Sequence, residues 1–104
     1  MNKGFLLVLM QPPPTLEEEF NAWYDTEHIA ERLAVPGFET ALRYVCIDGA
    51  PRYLAMYDMA SPDVLNSPAY LKVAFDNASP WTRRVTSRVR IYRSFGEQVY
   101  PGTT

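Results

Sequence analysis

The chain contains one histidine, His28. It closes the run Phe20-Asn21-Ala22-Trp23-Tyr24-Asp25-Thr26-Glu27-His28. Imidazole is the one side chain whose unperturbed pKa falls near neutral pH. The run reads as a helix, and residues three and four apart on a helix are neighbours. That spacing gathers Tyr24, Glu27, His28 and Glu31. A carboxylate against one imidazole nitrogen fixes the tautomer and raises the basicity of the other. Such a pair suits a general base acting next to a carbonyl, or an acid assisting loss of water. The competing expectation is a surface histidine beside a salt bridge. Arg43 stands on a largely apolar strand face. It can hold a carboxylate or a developing enolate oxygen, or pair with Asp58 on the next strand or with Glu27. Tyr44, Tyr53 and Tyr57 bring hydroxyls on strands, either to a ligand or as core aromatics with satisfied hydroxyls. Trp81 can wall or cover a pocket, Tyr70 can reach its mouth, and Trp23 belongs in the core.

These groups need a scaffold, and its elements are legible in order. Gly4 to Met10 is an apolar strand without alternation, which predicts that both its faces are covered. Pro12-Pro13-Pro14 ends it. Thr15 with Glu18 three residues on forms a capping box, and Glu17, Glu18 and Glu19 suit the positive end of a helix. That helix runs from about Leu16 to Leu33, and Pro36-Gly37 stops it. A strand over Phe38–Ile47 turns through Asp48-Gly49-Ala50-Pro51 into an antiparallel partner over Arg52–Met59. Ser61-Pro62 opens a short helix, Ser67-Pro68 interrupts it, and further helical pieces cover roughly Ala69–Phe75 and Pro80–Ser87. Arg88–Val99 is the last strand, with a bulge predicted near Arg93. The order strand, helix, strand, strand, broken helix, strand is α+β and ferredoxin-like: a four-stranded antiparallel sheet with helices on one face.

The 104 residues make a single domain, residues 1–104. Lys plus Arg number 10 and Asp plus Glu 12, a net charge of −2, which gives no electrostatic reason to expect nucleic acid or an anionic membrane. Arg83, Arg84, Arg88, Arg90 and Arg93 crowd the last quarter. They read as solvated helix-end and strand residues, with an anion site as the alternative. A lone cysteine, Cys46, excludes an internal disulfide and makes a reducing, cytoplasmic setting the default. The apolar start is too short and lacks the flanks of a signal peptide, and nothing approaches the ~20 apolar residues of a membrane span. One histidine and one cysteine do not make a zinc set. Haem has only His28 as an axial ligand, and no phosphate-binding glycine loop occurs. No cofactor and no metal are expected.

Helices cover one face of such a sheet, yet both faces of its strands are substantially apolar. A bare apolar face of that size is unusual on a soluble monomer. A homodimer packed sheet to sheet, approximating an eight-stranded barrel, is therefore predicted.

Phe20, Trp23-Tyr24, His28 and Val35-Pro36-Gly37-Phe38 resemble the first helix and following turn of the EthD-like branch of the dimeric α/β-barrel family. Ala41 and Arg43-Tyr44 continue the likeness into the next strand. The motif covers about a quarter of the chain. Members often carry proline two residues after the histidine, where this chain has Ala30. The resemblance implies a homodimer with a pocket in each protomer between sheet and helices, and small, often aromatic or polyketide-like ligands. Such relatives include cofactor-free isomerases, cyclases, dehydratases and monooxygenases, and haem-degrading enzymes; fold alone does not choose among them. The leading expectation is a cofactor-free lyase, isomerase or cyclase acting on a small hydrophobic or aromatic carbonyl compound. His28 serves as acid or base, with Glu27, Tyr24 and Arg43 beside it and Tyr44, Tyr57, Trp81 and Tyr70 against the ligand. A non-catalytic binding or accessory protein, and a cofactor-free or haem-linked monooxygenase, are the alternatives.

Overall fold

A computed structural model describes residues 2–74 and 77–101. Strands β1 (Gly4–Gln11), β2 (Phe38–Val45), β3 (Tyr53–Met59) and β4 (Arg90–Glu97) form one antiparallel sheet in the order β2-β3-β1-β4. With helices on one face, this is the ferredoxin-like arrangement.

Register explains which residues line that face. Leu6 lies opposite Tyr57, Val8 opposite Ala55 and Met10 opposite Tyr53, and all six are buried. On β4, Ile91 and Arg93 point the same way, opposite Met10 and Val8. The other face carries Phe5, Leu7 and Leu9, which are only half-buried. Beside them Leu42, Tyr44 and Tyr92 are 53, 52 and 51% exposed. The unbroken apolar run of β1 thus has one face covered by the chain's own helices, and its second face is open.

The first helix departs from the expected single rod. Pro14 opens a 3-10 turn over Pro14–Leu16, which takes Thr15 into the turn. The capping box therefore does not form, and α1 (Glu17–Trp23) begins at Leu16 without a side-chain cap. The three glutamates nonetheless occupy its first turn, where they oppose the helix dipole. Next comes a π turn, Tyr24–His28, and then α2 (Ile29–Leu33). Gly37 turns the chain into β2 at φ 101°, where an added Cβ would stand 2.5 Å from a Val64 methyl. Any side chain there meets both backbone strain and a clash.

The bulge predicted near Arg93 lies elsewhere. β4 pairs with β1 without a break from Glu97 to Arg90, and the irregularity falls in β2 between Phe38 and Thr40. Alternation slips at Arg93 because a charged residue occupies the helix-covered face there, not because the register shifts. Each serine–proline pair in the second crossover caps a turn. Ser61 accepts from Asp63 N at the 3-10 turn Pro62–Asn66, Ser67 from Tyr70 N at α3 (Pro68–Leu71), and Ser79 from Thr82 N at α4 (Pro80–Thr86). The helix expected over Ala69–Phe75 ends at Leu71, and Phe75 lies outside the described residues. No helix among the described residues is long and apolar enough to cross a membrane.

Candidate functional site

The π turn decides where the histidine points. Hydrogen bonds from i to i+5 widen the helix by one residue, and such turns are frequent at functional sites. Here the turn brings three successive inward residues into one cluster. His28 stacks on Trp23 with ring centroids 4.4 Å apart and meets Tyr24 edge-on at 4.8 Å. It is only 5% exposed. The imidazole therefore faces the space between sheet and helices rather than solvent.

That space is a cavity of about 200 Å³. Leu6, Val8 and Met10 of β1 make its floor, and Tyr57 of β3 and Ile91 of β4 stand beside them. Trp23, His28 and Arg32 form one wall, Tyr70 and Ala74 another, and Thr82 of α4 a third. Arg83 and Arg93 complete its charges; no aspartate or glutamate is among the lining residues described. Two buried polar atoms at this site have no hydrogen-bond partner among the described residues, His28 Nδ1 and Arg32 Nη1. An unmade bond on a buried polar atom costs about 1–3 kcal/mol, and both atoms belong to side chains that line the cavity.

Electrostatics keeps the imidazole neutral. Burial, first, and then the positive charges of Arg32, Arg43 and Arg93 push His28 well below its ordinary value. The consequence for stability has a definite sign. Below about pH 6.5 the unfolded chain takes up a proton that the folded chain refuses, so the unfolded state gains. His28 should thus contribute a loss of up to about 1.4 kcal/mol per pH unit as pH falls from 6.5 toward its lowered folded value. Urea titrations between pH 7.5 and 5 should show this slope in the wild type and its disappearance in His28→Phe. An unchanged slope would place the ring in water.

Tyr24 and Tyr57 join hydroxyls at 2.6 Å in the interior. Burial and the neighbouring Tyr57 hydroxyl hold Tyr24 well above its usual value, and burial raises Tyr57. Both phenols stay protonated. Either can donate across the contact; when Tyr24 does, the Tyr57 proton is free to reach a ligand oxygen.

The structure separates residues that sequence spacing had grouped. Glu27 does not contact His28. Its carboxylate accepts from Ser79 at 2.7 Å and Thr82 at 3.1 Å, because the π turn directs it toward the start of α4. Thr82 Oγ1 in turn accepts from Trp23 Nε1 at 3.0 Å, so Glu27 acts through Thr82 and Trp23 rather than on the imidazole. Glu31 is not among the lining residues. Arg43 pairs with neither Asp58 nor Glu27; it donates to Asp25 at 2.6 Å and Asn21 at 2.7 Å and lies over the Tyr24 ring at 4.4 Å. It thus sits behind Tyr24, outside the cavity. Tyr44 is on the open sheet face, since its neighbours on β2 alternate across the sheet. Tyr53 donates to Glu17 and accepts from Asn21. Trp81 lies half-buried on the helix layer, its indole donating to Glu19 at 3.2 Å, and does not line the cavity. Tyr57 and Tyr70 do line it.

Arg32 and Thr82 are cavity residues that spacing and charge did not single out, whereas Arg83 and Arg93 come from the basic cluster whose alternative expectation was an anion site. Arg32 was findable, since it follows His28 by four residues on the same helix. The inward direction of Arg93 follows from parity with Ile91. Among the described residues no group of three or more His, Cys, Asp or Glu side chains is placed to hold a metal ion.

No family model matches the sequence, and no curated protein matches it significantly. Solved structures do match the fold. A protein from Shewanella loihica, provisionally named a monooxygenase, superposes with a TM-score of 0.70 at 13% identity, covering 94% of this chain and 95% of that one. SnoaB, a cofactor-independent oxygenase from Streptomyces nogalater, gives 0.63 at 13% over 97% and 99%. A provisionally named antibiotic biosynthesis monooxygenase from Nitrosomonas europaea gives 0.67 at 13% over 98% and 95%. None of these likenesses singles out the EthD-like branch; what the chain shares with these proteins over nearly its whole length is the ferredoxin-like α/β fold.

Proposed function

We propose that the protein is a cofactor-free monooxygenase for a small, electron-rich aromatic hydroxy compound. The observation that carries this reading is the neutral, buried His28, which lines a cavity together with arginines and has an Nδ1 without a hydrogen-bond partner among the described residues. A phenol bound against Nδ1 passes its proton to the imidazole. Imidazolium is disfavoured there, but the phenolate forms beside Arg32 and Arg93, and the charge of the site as a whole does not change. The electron-rich phenolate then reduces dioxygen directly. Carbon–oxygen bond formation and loss of water convert an aromatic C–H into C=O: phenol plus O2 gives quinone plus water. The substrate supplies all four electrons, so no further reductant enters. Several fold neighbours bear oxygenase names, which favours oxygen over a purely proton-transferring lyase or isomerase as the second half of the reaction.

An oxygen electrode tests this with monocyclic hydroquinones and trihydroxybenzenes, each with and without a ring carboxylate. Uptake of one O2 per quinone formed, above the autoxidation rate, with one atom of labelled O2 in the quinone and no hydrogen peroxide released, is the expected result. Substrate conversion without oxygen uptake would replace the oxygenase with a lyase or isomerase. Absence of any conversion would leave a binding protein.

The open sheet face completes the reading. Leu42, Tyr44, Met56 and Tyr92 are large apolar side chains left exposed there, and a second copy related by a two-fold axis covers them with its own equivalents. The paired variant Leu42→Lys with Tyr92→Lys should halve the mass measured by light scattering while leaving the helical circular dichroism unchanged. An unaltered mass would show that copies meet elsewhere or not at all.

A further inference from the structure

The cavity is both basic and small, and the two properties together describe a ligand more narrowly than the reaction does. Arg32, Arg83 and Arg93 line it with no carboxylate among the described lining residues. The inner arginine, Arg32, lies against the Tyr70 ring at 5.1 Å and leaves Nη1 buried without a hydrogen-bond partner. Arg93 reaches the same ring from the opposite side of the sequence and donates to the Tyr70 hydroxyl at 2.9 Å. Tyr70 therefore contacts both guanidinium groups, one through its ring and one through its hydroxyl. A guanidinium held against this ring with an idle buried N–H fits a planar oxyanion better than a neutral oxygen.

Size sets the rest. An apolar cavity of roughly 150 Å³ holds benzene, so about 200 Å³ holds one ring with a small substituent. Leu6, Val8 and Met10 offer that ring an apolar floor.

We propose that the ligand is a monocyclic aromatic acid whose carboxylate accepts from Arg32 Nη1 while its ring lies over β1. This rests on the reading of the cavity as the substrate site and names the substrate class: a hydroxylated benzoate rather than a neutral phenol. The carboxylate also offsets part of the arginine charge around His28, so the substrate makes its own base more effective.

Binding tests this without turnover. Benzoate and its neutral isostere benzamide are titrated into the whole protein by calorimetry, and the imidazole resonance of the single histidine is followed by NMR. Benzoate should bind at least about tenfold more tightly than benzamide and should shift the His28 signal. Arg32→Gln should bring the two ligands within about twofold, and Arg32→Lys, which keeps the charge but not the fork, should recover part of the preference. Equal affinities in the wild type, an Arg32→Gln variant that keeps the preference, or benzoate binding that leaves the His28 signal unmoved would each overturn the proposal. Should Arg32→Gln not fold, the wild-type comparison with the His28 signal decides alone. Oxygen uptake is a separate measurement: its absence would remove the oxygenase while the benzoate preference stood, and uptake restricted to uncharged phenols would do the reverse.

Discussion

Replacing His28 with phenylalanine is expected to lower kcat by about 10²- to 10⁴-fold, the usual share of a positioned proton carrier, while leaving the fold as stable or more so. The two halves of this result come from the same atom. Phenylalanine reproduces the ring's stack on Trp23 at 4.4 Å and its edge contact with Tyr24 at 4.8 Å. It also removes a buried Nδ1 that has no partner among the described residues. Replacing an unsatisfied polar group by an apolar one of similar shape is nearly neutral or stabilising. A residue kept for packing shows the opposite pattern, losing stability and activity together. Thermal melts and steady-state oxygen uptake on the same preparations separate the cases. A variant that keeps wild-type kcat would remove His28 from the chemistry; one that loses several kcal/mol of stability would show the imidazole to be a structural member.

The contrast explains which parts of the site were legible in the sequence. Element order and topology followed from apolar runs, serine–proline caps and turn residues, because those signals are local and act through backbone geometry. His28 drew attention by chemistry alone. Its inward direction did not follow from an α-helical wheel; it depends on the π turn at Tyr24–His28, a single inserted residue that hydrophobic periodicity does not register. The same insertion sent Glu27 away to Ser79 and Thr82, so the pairing of a carboxylate with the imidazole was the natural misreading of regular spacing. Arg43 and Arg93 show a second limit. Both occupy helix-covered strand positions, yet Arg43 is satisfied by Asp25 and Asn21 behind Tyr24 whereas Arg93 reaches the cavity. Which of two arginines faces a ligand depends on strand order, and β4 pairs with β1 across a long crossover whose geometry no short motif encodes.

The largest loss of stability from a single side chain near the site should come from Trp23→Ala. Trp23 is fully buried, packs edge-on against Tyr24 at 5.3 Å, and ties the first helical segment to α4 through its indole N–H on Thr82 at 3.0 Å. Tryptophan-to-alanine changes in a core cost about 3–5 kcal/mol, against a total of roughly 5–15 kcal/mol for a domain. At about 4–8 °C per kcal/mol for a domain near this size, the melting temperature should fall by at least about 12 °C. Trp23→Phe should lose far less. It keeps most of the apolar volume, and the Thr82 hydroxyl retains Glu27 as its acceptor at 3.1 Å, so no buried polar atom is stranded. Trp81→Ala is the matched control: the same residue type, only partly buried against the core, with its indole on the carboxylate of Glu19. Its cost should be smaller, because only part of the side chain is buried against the core. Equal losses at the two tryptophans would mean that Trp81 is also enclosed, as it would be if it closed over the cavity like a lid, and the assignment of Trp23 as the wall that holds His28 would have to be redrawn.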